Sequence, residues 1–137
     1  MLKISYIFTL CLIIKLVIMN SKFTTLVRIL LGIILLVSGL NKLLRIYPTP
    51  AGDFIASFGQ VDYIFPIVAI LEILISTLLL FRKWVPFALL LLVPISINIL
   101  LFHFYLNFSG IAPALLVAVL NGILVYKHWR VYKPLFL

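Results

Sequence analysis

The sequence predicts an all-α integral membrane protein: a four-transmembrane-helix bundle with a short outer interfacial helix and an extra N-terminal hydrophobic segment. Three observations lead there. The chain of 137 residues is 66% hydrophobic and 10% charged, with a mean hydropathy of +1.35, so it lacks the polar surface needed to enclose a soluble core. Apolar runs at residues 24–44, 63–81, 84–106 and 111–126 approach or exceed the roughly 20 residues, at about 1.5 Å each, that cross a hydrocarbon layer. The basic residues flank these runs and form no stripe. The net charge of +8 therefore reads as topology and headgroup anchoring, not nucleic-acid binding.

Residues 1–21 form a hydrophobic leader ahead of the membrane domain at 22–137. Lys3 followed by apolar residues resembles a signal peptide, but Lys15 interrupts the run and no small-residue cleavage site follows. Three readings stand: an extra or interfacial helix, a continuation of the first span, or an extension upstream of a start at Met19.

The first span, 24–44, carries Gly32 and Gly39 one heptad apart, a spacing suited to close helix contact. Thr49, Pro50 and Asp53 give an N-cap, a first-turn proline and a dipole-matched anion, so a short helix over 50–58 is expected in the outer interface. The second and third spans are joined by so few residues that they must be antiparallel neighbours. Pro66, Pro86 and Pro113 fall in first turns, whereas Pro94 lies inside the third span and is expected to kink it. On the fourth span Ala114, Ala118 and Gly122 recur every four residues, predicting a packing stripe.

Lys22, Arg28, Arg82, Lys83, Lys127, Arg130 and Lys133 fall at one end of the spans, against Lys42 and Arg45 at the other. By the positive-inside rule the heavily basic end, with both termini of the four-helix unit, is expected to be cytoplasmic.

Glu72 stands near the middle of an otherwise uncharged span, where an ionised carboxylate is costly unless paired or neutralised. Counting from the outer helix ends puts Glu72, Asn98 and Asn121 within roughly 5 Å of one level. Asn41, Lys42, Arg45, His103 and Tyr105 lie nearer the outer surface, and the opposite half of the spans is aliphatic. The expectation is a cavity opening outward with Glu72 at its floor. Helical phase separates Asn98 from His103 by about 140°, so only one of them need face Glu72. The bland alternatives are that the asparagines join helices, His103 anchors at the interface, and Lys42 and Arg45 snorkel to headgroups.

Catalytic motifs of the HExxH, G-x-S-x-G and P-loop kinds are absent from the sequence, and no metal site is expected, since His103 and His128 fall at opposite ends. The single cysteine, Cys11, rules out an internal disulfide or C-x-x-C chemistry.

Leu26-Val27-Arg28-Ile29-Leu30-Leu31-Gly32 and Ser38-Gly39-Leu40-Asn41-Lys42-Leu43 resemble the first helix of DoxX-like membrane proteins. Glu72, Arg82-Lys83-Trp84-Val85-Pro86 and the stretch from Pro94 through Asn98 to His103 carry the likeness further. The resemblance covers about residues 22–133. It implies a four-helix inner-membrane protein commonly labelled an oxidoreductase, because relatives act as thiosulfate:quinone oxidoreductase subunits or work with sulfur- and thiol-handling partners. The wider superfamily includes dithiol-bearing electron-transfer helpers and assembly chaperones. This chain has no dithiol, so a redox role would need a bound quinone or a partner subunit. Two functions follow as expectations. One is a quinone or small-ligand site with Glu72 as proton acceptor, Asn98 and His103 as hydrogen-bond partners, and Asn41 or Lys42 at the mouth. The other is a non-enzymatic assembly or scaffold subunit in which the polar layer, Asn121 included, only locks helices. Either way the surroundings are the lipid bilayer, a membrane protein partner and, as a further option, a second copy of the chain.

Overall fold

The computed structural model describes residues 1–44, 63–105 and 108–137. The described residues are helical almost throughout: α1 (Leu2–Met19), α2 (Ser21–Leu44), α3 (Ile64–Leu80), α4 (Val85–Tyr105), α5 (Ile111–Lys127) and the single turn α6 (Trp129–Tyr132), with 3-10 turns at Phe108–Gly110 and Lys133–Leu135. The expected outer helix over 50–58 lies outside the described residues, as does Arg45. α2, α4 and Phe108–Lys127 have the length and hydropathy to cross a membrane, and α3 is an apolar helix of 17 residues, about 25 Å long.

α2 packs on α3, α4 on α5, and the ring closes through α3 with α4 and α2 with α5. The aliphatic core fills the basic half of this bundle. Val27, Leu31 and Leu35 of α2 meet Ile75 and Leu79 of α3, Ala88, Leu89 and Leu92 of α4, and Val117, Leu120 and Leu124 of α5. Steps of three and four put each set on one helix face. The opposite faces show Ile67, Ile70, Leu74, Leu90, Leu101, Leu115 and Val119 to the outside. So much exposed aliphatic surface would aggregate in water but matches a lipid surround.

α1 is separated from α2 at Asn20, which is extended (φ −69°, ψ 121°). Its Oδ1 accepts the Lys22 N–H at 3.1 Å, an N-cap for α2. Lys127 Nζ donates to the carbonyl of Met19 at 2.9 Å, tying α1 to the end of α5.

The antiparallel α2–α3 contact depends on glycine. A Cβ at Gly39 would lie 2.8 Å from Ile73 Cγ1 and 3.0 Å from the Ala69 carbonyl oxygen, and one at Gly32 would lie 2.9 Å from Leu80 Cδ2. The stripe expected on the fourth span is corrected: Gly122 is exposed, and a Cβ there meets nothing within 4 Å. A strict four-residue step advances about 40° each time, so Ala114, Ala118 and Gly122 drift off the interface. The true contact face is Ala114, Val117, Leu120, Asn121 and Leu124. At Pro94, α4 continues as one helix, and Asn98 Nδ2 donates to the Pro94 carbonyl at 3.0 Å.

The α3–α4 turn closes with two backbone bonds, Lys83 N–H to the Leu78 carbonyl (3.0 Å) and Arg82 N–H to that of Leu79 (3.3 Å). This is a Schellman arrangement, and it places Arg82 in the left-handed region (φ 57°), a position usually given to glycine. Arg28 reaches across from α2 and donates to the carbonyls of Leu79 and Leu80, satisfying more of the α3 end. After α5 the chain folds back under α4. Tyr132, buried, donates its hydroxyl to the Pro86 carbonyl at 2.8 Å.

Candidate functional site

Glu72 is the ninth of the 17 residues of α3 and is only 1% exposed. Its partner is Lys42, whose Nζ lies 2.5 Å from Oε1 and also donates to Ser38 Oγ at 3.2 Å. The helix directions explain the pairing. Every Cα–Cβ bond leans toward the N-terminus of its helix. α2 and α3 are antiparallel, so Lys42, near the C-terminal end of α2, leans toward the basic end of the bundle while Glu72, at the middle of α3, leans away from it. The two meet between their backbones. Gly39 holds those backbones together, since a Cβ there would lie 3.3 Å from Glu72 Cβ.

Glu72 Oε2 is buried and has no hydrogen-bond partner among the described residues. The Lys42 side chain keeps 21% of its surface exposed, so the ion pair is sealed on the Glu72 side and open on the lysine side. Ser76, one turn further along α3, turns its hydroxyl to the Ile73 carbonyl at 2.8 Å.

A second buried polar pair joins α4 and α5. Asn121 Nδ2 contacts Ser96 Oγ at 3.4 Å, Ser96 in turn donates to the Val93 carbonyl at 2.9 Å, and Asn121 Oδ1 is buried without a partner among the described residues. Ser96 was not singled out from the sequence. It takes the bundle-facing position that Asn98 was expected to fill, because two residues rotate a helix by about 200°. Asn98 is exposed on the outer face of α4 and is not brought to Glu72. His103 is half-buried near the end of α4, edge-on to Phe102 with ring centroids 5.3 Å apart. Its ring also fills the space a Cβ on Gly110 would need, so it packs on the start of α5. Asn41 is half-buried beside Lys42 on α2. Of the residues expected at the site, the structure thus joins Lys42 to Glu72 and sets Asn121 in a pair of its own.

The chemistry open to this arrangement is that of a charge-balanced carboxylate with one spare acceptor. Oε1 is taken by an ammonium, and Oε2 can accept an O–H or N–H, or take a proton.

The model of the DoxX family matches residues 23–104, from the start of α2 almost to the end of α4. The chain belongs to the DoxX family. This DoxX protein is accordingly a multi-pass membrane protein, and the matched segment contains Lys42, Glu72, Ser96 and Asn98 but not Asn121. No curated protein and no solved structure matches the chain.

Proposed function

We propose that this DoxX protein is a quinone- or partner-linked oxidoreductase subunit of the bacterial inner membrane, with the Lys42–Glu72 pair as its proton and ligand site. The observation that carries this reading is the unsatisfied, buried Oε2 of Glu72 beside a paired Oε1. A buried acceptor without a donor costs about 1–3 kcal/mol, a deficit that a ligand hydroxyl would remove. A quinol fits that requirement, offering an O–H on an apolar ring to a site walled by aliphatic helices. When bound it would supply the two-electron chemistry that the chain's own side chains lack, the electrons passing to a partner subunit. The chain's part is to accept the hydroxyl at Oε2, hold the proton there, and balance the charge from Lys42 Nζ. Asn41 stands at the outer mouth, and the basic end carrying Arg82, Lys83, Lys127, Arg130 and Lys133 faces the cytoplasm by the positive-inside rule.

A second reading, a non-enzymatic assembly or scaffold subunit, is favoured by one observation. Each buried polar pair bridges two helices, Lys42–Glu72 joining α2 to α3 and Asn121–Ser96 joining α4 to α5. In that role the pairs fix helix register, and a membrane protein partner or a second copy takes the outer faces. Quinone extraction separates the two. The oxidoreductase reading expects quinone to copurify in mild detergent and to be lost in Glu72→Gln. The scaffold reading expects quinone-free protein, a Glu72→Gln variant of lowered stability, and unchanged crosslinking to a membrane partner.

A further inference from the structure

The basic end of the bundle holds a groove of about 160 Å³ between the first turns of α2, the α3–α4 turn and the end of α5. Four basic side chains from three elements line it: Arg28, Arg82, Lys127 and His128. None of them has a carboxylate partner among the described residues. The chain has three acids in all. Glu72 is committed to Lys42, and Asp53 and Asp62 fall in the sequence between α2 and α3, outside the described residues. Arg28 and Arg82 sit close enough to repel each other.

The donors are partly committed and partly free. Arg28 gives one amino group to the α3 carbonyls and leaves its remaining N–H groups without a partner among the described residues. Lys127 gives one of its three N–H bonds to Met19, and Arg82 gives none. His128 Nδ1 faces the Leu124 carbonyl at 2.9 Å, which must be a donation, so in the neutral ring Nε2 is an acceptor and the anion donors of the groove are Arg28, Arg82 and Lys127. The threonine hydroxyls do not compete, since Thr24 and Thr25 donate to the carbonyls of Asn20 and Ser21 at 2.9 Å. What remains is a concentration of uncompensated positive charge around a space large enough for a tetrahedral anion. Exposed Trp84 and Trp129 stand at the same end of the bundle, the pattern of an aromatic belt at headgroup depth.

We propose that this groove binds a phosphate group, supplied by the headgroup of an anionic phospholipid, with Arg28 and Arg82 as the fork and Lys127 as the third cation. Basic pockets between helices at a membrane surface recognise lipid phosphates by this chemistry. The bound anion cancels the repulsion between Arg28 and Arg82 and joins α2, the α3–α4 turn and α5 at one point. The site is independent of the role assigned to Glu72.

The test uses the full chain in nanodiscs and native mass spectrometry. Wild-type protein should retain phosphatidylglycerol in preference to phosphatidylcholine. Each groove cation near the headgroups contributes a factor of roughly five, so Arg82→Gln/Lys127→Gln should lose about twenty-five-fold in that preference. Arg130→Gln/Lys133→Gln removes the same charge from the same end but outside the groove, and should lose little. Arg82→Gln alone, at an exposed turn position, serves if the double variant does not fold. Displacement of the lipid by millimolar inorganic phosphate would support the anion site with a soluble source, and resistance to it supports the lipid. Equal retention of both lipids, or equal losses in the two double variants, would overturn the proposal.

Discussion

Replacing Lys42 or Glu72 singly should destabilise the bundle far more than replacing both. At 2.5 Å and an effective dielectric constant near 20, the Coulomb attraction in the pair is about 7 kcal/mol before desolvation, and the desolvation of two buried ions offsets most of it. Breaking the pair leaves the desolvation uncompensated. Lys42→Met strands a carboxylate that is 1% exposed, and should cost about 3–5 kcal/mol. Glu72→Met should cost less, about 1–3 kcal/mol, because the one-fifth-exposed lysine can turn its ammonium toward the interface. In the Lys42→Met/Glu72→Met variant, unbranched apolar chains fill the same space beside Gly39, and stability should return to within about 1 kcal/mol of wild type. Unfolding by SDS titration in mixed micelles, followed by circular dichroism, reads all four proteins. Single variants that each lose under about 1 kcal/mol, with losses that add in the double variant, would refute the reasoning.

Other consequences follow from the packing. Gly39→Ala puts a methyl 3.0 Å from a backbone carbonyl that cannot give way, and should cost about 1–3 kcal/mol in the same titration; Gly122→Ala meets open space and should be neutral or stabilising by up to about 1 kcal/mol. Burial pushes the Tyr132 hydroxyl up to about 12 from its ordinary 10. A raised acid is kept protonated in the folded state, so its contribution is complete below pH 10 and lost as pH rises toward 12. Tyr132→Phe should remove that alkaline loss, at a cost near 1 kcal/mol at neutral pH from the missing bond to Pro86, as pH-dependent melting would show. Arg82→Gly relieves a left-handed non-glycine residue worth about 1 kcal/mol, and should raise stability while lowering anionic-lipid retention.

The helices were legible because hydropathy and chain punctuation act locally. The third span was expected over 84–106 and runs over Val85–Tyr105; the fourth was expected over 111–126 and runs over Ile111–Lys127. Gly39 was legible as a contact because a heptad step stays on one face, whereas the four-residue stripe through Gly122 did not allow for drift. The cost of burying Glu72 announced that a partner must exist, yet depth counting from Cα positions set Lys42 too high to be that partner. Adding the N-terminal lean of side chains in antiparallel helices brings the two together. Ser96 escaped notice because a serine bonded to its own helix carries no hydropathy signal. The contact of Arg28 with the carbonyls of Leu79 and Leu80 needs the register of α2 against α3, which Gly32 and Gly39 set through close contacts and no local pattern reveals.

The proposal that Glu72 holds a quinone-class ligand is tested most directly by the quinone content of protein purified in mild detergent. The comparison is between wild type and the Lys42→Met/Glu72→Met variant, which is expected to stay within about 1 kcal/mol of wild-type stability and whose fold the circular dichroism signal checks. The account predicts quinone in near-equal molar amount with wild type and its loss from the variant. Wild-type protein that carries no quinone and fails to bind added quinone would contradict it.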